Sequence, residues 1–197
     1  AQWQSRWPAG RFVGDAGAFR ALEPGAPAPV LGLFNPDHMD FAFDADRTKE
    51  PSLAEMAVFA ARKLEARAKR TGRGYVLMVE AGRIDHAHHI TNAFRALDET
   101  AELSAAVAEV LKTVDLDDTL VLVTADHSHV FTMAGYPPRG NPILGYNRPI
   151  EGGEGSSATD AAGNIVDQLG RPMTTLGYMN GPLEVRSGTR VLRSTVP

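Results

Sequence analysis

The chain has 197 residues, 43% of them apolar, enough for one folded domain with a sizeable core. Its formal net charge of -4 argues against a general nucleic-acid binder, and its arginines are scattered without aromatic interleaving. Cysteine is absent, which excludes disulfides, thiolate zinc and a cysteine nucleophile, and no apolar run approaches the roughly 20 residues of a membrane-spanning helix.

Residues 1–30 are rich in Gly, Pro and Ala, which predicts mainly irregular chain with a short helix near Ala16–Leu22. Val30–Phe34 reads as a strand ending at the turn signal Asn35-Pro36-Asp37-His38, where His38 reads as a loop histidine. From Ser52 the pattern becomes helical. Leu53, Met56, Ala57, Ala60 and Leu64 recur at steps of three and four, basic residues crowd the end, and Gly72 and Gly74 stop the helix. Residues 75–79 are apolar and β-prone. A second helix follows over Thr91–Leu111, its apolar face drawn from Phe94, Leu97, Ala101, Ser104 and Val107, with Glu99 on the wet side. Asp115–Asp118 is a turn, and residues 119–123 are again apolar. The order helix, strand, helix, strand predicts a doubly wound α/β arrangement, with the strands 75–79 and 119–123 parallel and both polar clusters at their C-terminal ends.

Beyond His129, Gly and Pro mark a long loop over 135–145. Residues 151–163 are rich in Gly, Ser and Ala and are expected to be mobile. Thr174–Tyr178 is a predicted strand, and Asn180-Gly181 signals a hairpin with Leu183–Arg186 on its far side.

The chemistry concentrates at two places. Glu80 leaves the first apolar run and is followed by Asp85, His86, His88 and His89; Asp126, His127 and His129 follow the second. Asp85 and His89 are four apart, so on a helical turn they face the same way, and a carboxylate oxygen with an imidazole nitrogen suits zinc. Asp126 and His127 are adjacent and serve one site only where the chain bends. Glu80 invites magnesium or a hydrogen-bonded ligand, and His129 is placed to orient an acid that holds a metal. Charged groups so placed are costly unless paired or metal-bound.

The stretch Val79-Glu80-Ala81-Gly82-Arg83-Ile84-Asp85-His86-Ala87-His88-His89 resembles the metal-binding motif of the alkaline phosphatase family, with Ala81 where glycine is usual. Thr124-Ala125-Asp126-His127-Ser128-His129 resembles its second motif, and Phe131–Gly145, Leu31–Phe34 and Pro51–Leu53 continue the likeness. The resemblance is strong over roughly 30–145 and weak after it. It implies a three-layer α/β sandwich with a mostly parallel central sheet. On this reading the chain is a partial domain, with a metal-site core at about 30–145 and an irregular or hairpin-containing part at 146–197. The family's enzymes are exported to the periplasm or secreted, are usually homodimers, and hydrolyse phosphate monoesters through a phosphoserine held between two zinc ions.

Carried over, Asp85 and His89 resemble ligands of the first zinc, Asp126 and His127 ligands of the second, and Glu80 a magnesium ligand. His86 lies where the family places a residue near the phosphate, and His129 resembles the outer partner of Asp85. The family's nucleophilic serine, its phosphate-binding arginine and its metal-bridging aspartate come upstream of such motifs, and no serine here stands in the nucleophile's context. No histidine follows His129 to complete the first zinc. The chain is therefore expected to be a central-to-C-terminal part of a longer phosphatase and to be inactive alone. The alternatives are a phosphodiesterase or sulfatase of the same superfamily, and a non-catalytic metal-binding or interaction fragment.

Overall fold

The computed structural model describes residues 2–150 and 158–179, and the backbone of 185–186 and 189–190. The elements run α1 (Gln2–Arg6), β1 (Arg11–Val13), α2 (Ala16–Arg20), β2 (Val30–Gly32), α3 (Leu53–Thr71), α4 (Arg83–His89), α5 (Ala93–Leu111), β3 (Phe131–Met133), β4 (Leu176–Tyr178), β5 (Val185–Arg186) and β6 (Thr189–Arg190). They fall into two compact units: Ala1–Arg83 with Asp98–Thr124, and Ile84–Leu97 with Ala125–Pro197.

In the first unit β1 and β2 pair in parallel, Phe12 opposite Leu31. Asp15 caps α2 by accepting the Ala18 N–H at 2.7 Å. The Phe19 ring then meets Phe34 and Phe59 edge-on, with centroids 5.7 and 5.1 Å away, and forms a small aromatic core. Ala57 and Ala61 give α3 a buried face of small residues.

The start of α3 is fixed by a reciprocal cap. Ser52 Oγ accepts the Glu55 N–H at 3.1 Å, and Glu55 Oε2 accepts the Ser52 N–H at 2.8 Å. Glu55 also receives Arg20 in a bidentate pair, at 2.6 and 3.1 Å. The helix ends where Gly72 turns left-handed at φ 64 and donates to Ala68 O, a conformation glycine takes without a Cβ penalty.

Two buried acids organise the segment between β2 and α3. Glu50 accepts Asn35 Nδ2 at 2.7 Å and the Asp40 N–H at 2.9 Å. Glu99, on α5, accepts the Ala42 N–H at 2.6 Å. Burial pushes the Glu99 carboxyl up, against the opposing pull of the Ala42 hydrogen bond and the Arg83 charge. Glu99 therefore corrects the expected helix face: it is buried with Ala93, Ala96 and Ala106, while Ala101 and Ser104 are exposed. Small residues and a hydrogen-bonded acid, not large apolar ones, line the inner face of α5.

The largest departure concerns the two apolar runs. Residues 75–79 and 119–123 form no strand and no ladder with each other; the described sheets are the pairs β1–β2, β3–β4 and β5–β6. A strand exists only through hydrogen bonds to a neighbour, and β-prone composition cannot supply the neighbour. Val76 is 93% exposed, Met78 83%, Leu120 81% and Leu122 79%.

In the second unit a left-handed Thr91, φ 55, separates α4 from α5, and Asn92 Oδ1 accepts the Arg95 N–H at 3.0 Å. β3 and β4 pair antiparallel with Phe131 opposite Tyr178. β4 lies within the predicted strand Thr174–Tyr178, but its described partner is β3, and β5 pairs with β6 rather than with β4. Asn180 and Gly181 lie outside the described residues, as do 151–157 of the expected mobile stretch. The buried Asn147 ties the loop after β3 to the approach to β4. It donates to Ala134 O at 3.0 Å and accepts the Thr175 hydroxyl at 2.8 Å. A Cβ at Gly135 would collide with this amide.

Ser52→Ala is expected to cost about 1 kcal/mol in denaturant unfolding; an unchanged midpoint would contradict the capping role. The hydrogen bonds of Arg20 outweigh burial and hold the Glu55 carboxyl at about 2, against an ordinary 4.5. Its contribution to stability is thus complete above about pH 4.5 and is lost as the pH falls through about 2. Glu55→Gln should flatten the acid limb of stability against pH; a limb as steep as in the parent protein would rule this out.

Candidate metal centre

The second unit gathers the acids and imidazoles. On α4, Asp85 and His89 lie one turn apart, with Asp85 Oδ1 3.4 Å from His89 Nε2. Two residues from the 125–129 segment reach the same oxygen: His129 Nε2 at 2.7 Å and His127 Nε2 at 3.8 Å. The backbone bends at Asp126, and there the adjacent Asp126 and His127 turn toward each other, Oδ2 to Nε2 at 3.3 Å.

These separations differ in kind. Two ligands bonded at 2.0–2.2 Å to one tetrahedral ion lie about 3.3–3.5 Å apart. The pairs Asp85–His89 and Asp126–His127 have that spacing, at 3.4 and 3.3 Å. The Asp85–His129 contact, at 2.7 Å, is a hydrogen bond, too short for two ligands of one ion. Donor chemistry and spacing thus fit divalent ions at the rim. Exposure follows the same order: the His129 side chain is 15% exposed, His89 67% and Asp126 87%. Among the described residues, Asp85, His127 and His129 form the one group of three donors whose atoms all lie within 4.8 Å of one another.

Behind this rim lies a packed layer of rings. The His88 ring stacks on His129 at 4.8 Å and 28°. Its Nδ1 is 2.8 Å from the Tyr178 hydroxyl, and the Phe131 ring lies 5.1 Å away. Burial pushes the Tyr178 hydroxyl up to about 12, so it keeps its proton at neutral pH. Burial, reinforced by the His129 charge, lowers the His88 pKa and favours the neutral ring. Burial alone would raise the Asp85 carboxyl. The His129 hydrogen bond and the charges of His89, His129 and His127 outweigh it and hold that carboxyl below its ordinary range.

His86 lies half-buried on α4 in the second unit, while Glu80 is exposed and belongs to the first. The sequence motifs give His88, Tyr178 and Phe131 no role in the site. His88 offered one signal, its place three residues after Asp85; Tyr178, ninety positions from His88, offered none.

The alkaline phosphatase family model matches residues 1–190, well past the 30–145 over which the motifs are recognisable by eye. The tissue-nonspecific isozyme of alkaline phosphatase from Gallus gallus is 40% identical over 183 residues, 91% of this chain and 32% of that protein. A membrane-bound alkaline phosphatase from Bombyx mori is 41% identical over 170 residues, 84% of this chain and 30% of that protein. An alkaline phosphatase from Gadus morhua is 37% identical over 190 residues, 95% of this chain and 35% of that protein. The chain spans about a third of the length of these relatives. No described helix is long and apolar enough to cross a membrane.

His129→Phe removes the hydrogen bond to Asp85 together with one positive charge. In carboxyl-carbon NMR of the metal-free protein, the Asp85 titration should move upward; a midpoint unchanged by the substitution would contradict the assigned cause of its depression. Because the folded carboxyl titrates low, its contribution to stability is present above the ordinary carboxylate range and fades as the pH falls through the folded value.

Proposed function

Because the chain belongs to the alkaline phosphatase family, we propose that it forms the metal-holding part of a phosphomonoesterase that acts on phosphate monoesters. The observation that carries this reading is the convergence of His89, His127 and His129 on one Asp85 oxygen. Members of the family are generally metal-dependent, and the donor set at the rim suits zinc. Asp85 and His89 hold one zinc, Asp126 and His127 a second, and Glu80 takes part in a magnesium site. His129 orients Asp85 and keeps it ionised, ready to bind without first losing a proton. His86 faces the phosphate. Zinc bound in pairs supplies a clamp on attacking and leaving oxygens and lowers the pKa of bound water.

Attack on phosphorus through a phosphoserine needs a serine and a cationic clamp, and neither is recognisable within these 197 residues. In this reading both come from chain outside the present sequence. So do the strands that pair with 75–79 and 119–123 and complete a mostly parallel central sheet between two helical layers. The uncovered side chains of Val76, Met78, Leu120 and Leu122 support that part, since burying each one contributes roughly 1.5–3 kcal/mol. Export to the periplasm or cell exterior and a homodimeric assembly belong to the same proposal.

Hydrolysis of p-nitrophenyl phosphate tests it. The intact protein should turn over at alkaline pH, Asp126→Ala should lose about 100-fold or more, and the 197-residue chain alone should be negligibly active even with added zinc and magnesium. A fully metallated intact protein with no phosphatase activity at any pH would overturn the proposal. Full turnover by the isolated chain would overturn the assignment of nucleophile and clamp to other parts of the protein.

A further inference from the structure

Resting on the metal reading above, we infer that His88 and Tyr178 are positioning residues for the metal-binding Asp85, acting through the plane of the His129 ring. The imidazole plane has no strong preference of its own, because the torsion next to a flat ring is broad and roughly two-fold. Something outside His129 must therefore aim its Nε2 at Asp85, 2.7 Å away.

Among the described residues, one is placed to do so. His89 and His127 meet His129 obliquely, at interplanar angles of 90° and 66°, and both lie on the open rim. Of the described rings beside it, His88 lies near-parallel, at 28° with centroids 4.8 Å apart. Rotating His129 out of its hydrogen bond would break that stack. His88 meets the same problem, since its ring also needs a partner to set its plane. The Tyr178 hydroxyl supplies it at 2.8 Å, and the Phe131 and Tyr178 rings pack around it with centroids 5.1 and 5.7 Å away. Phe131 and Tyr178 are in turn cross-strand partners, their rings 5.2 Å apart. The chain of control runs from the β3–β4 pair to the Tyr178 hydroxyl, to His88, to His129, to Asp85. The short pairing of two three-residue strands thus has a task beyond holding the loop: it sets the orientation of the carboxylate that binds the metal.

Tyr178→Phe is the sharpest test, because it removes a single oxygen and keeps the ring. In the intact protein, zinc affinity measured by chelator competition should fall several-fold, less than the roughly 10–100-fold that loss of a direct outer partner of a ligand costs. The visible absorption of the cobalt-substituted protein should shift or broaden, which a purely structural role for Tyr178 would not produce. His88→Ala should weaken zinc at least as much, and His88→Phe, which restores a flat ring on His129, should recover part of the loss. Tyr178→Phe with the parent protein's zinc affinity and cobalt spectrum would overturn the inference while leaving the metal reading in place. An intact parent protein that takes up neither zinc nor cobalt would overturn both. If His88→Ala does not fold, Tyr178→Phe decides alone.

Discussion

Asp85 Oδ1 faces three imidazole nitrogens at 2.7, 3.4 and 3.8 Å, and the second unit is arranged around that crowding. A carboxylate in such company is kept ionised, and imidazoles beside it are kept from drifting into solvent. The contact joins segments 44 positions apart, so it closes the loop that contains α5. Removing the acid would leave His89 and His129 without the carboxylate they face, while His127 would keep Asp126 at 3.3 Å. The short strands, the His88 stack and the buried Asn147 all serve to bring the 125–129 segment back to α4.

The contacts around Asp85 and Asp126 divide by distance. The half-buried His129 stands at hydrogen-bond distance from Asp85, while the pairs Asp85–His89 and Asp126–His127 stand at wider separations, 3.4 and 3.3 Å. Packed rings thus lie behind an outer layer of open donors. The same division explains why the aromatic layer carries no charge of its own: Tyr178 keeps its proton, and burial favours neutral His88.

Features encoded locally were legible in the sequence. The helical pattern from Ser52 announces the start of α3, Gly72 its end, and the spacing of Asp85 and His89 their common face. The bend at Asp126 follows from two adjacent polar residues that must both be used. What needed distant partners was not legible. Residues 75–79 and 119–123 have the composition of buried strands, yet composition does not provide a ladder, and their side chains stand open. β1 and β3 are three residues long, too short for alternation to emerge. Glu99 looked like a surface acid because its partner, the Ala42 N–H, is 57 positions away. The His88–Tyr178 hydrogen bond spans ninety positions, and nothing at Tyr178 marks it.

Anomalous scattering at the zinc absorption edge, from crystals of the intact protein grown with zinc, tests the proposed two-site centre directly. One anomalous peak is expected within bonding distance of Asp85 and His89 and a second within bonding distance of Asp126 and His127, with His129 hydrogen-bonded to Asp85 and outside both coordination spheres. Absence of zinc from this cluster, or zinc bonded to His129 in place of His89, would contradict it.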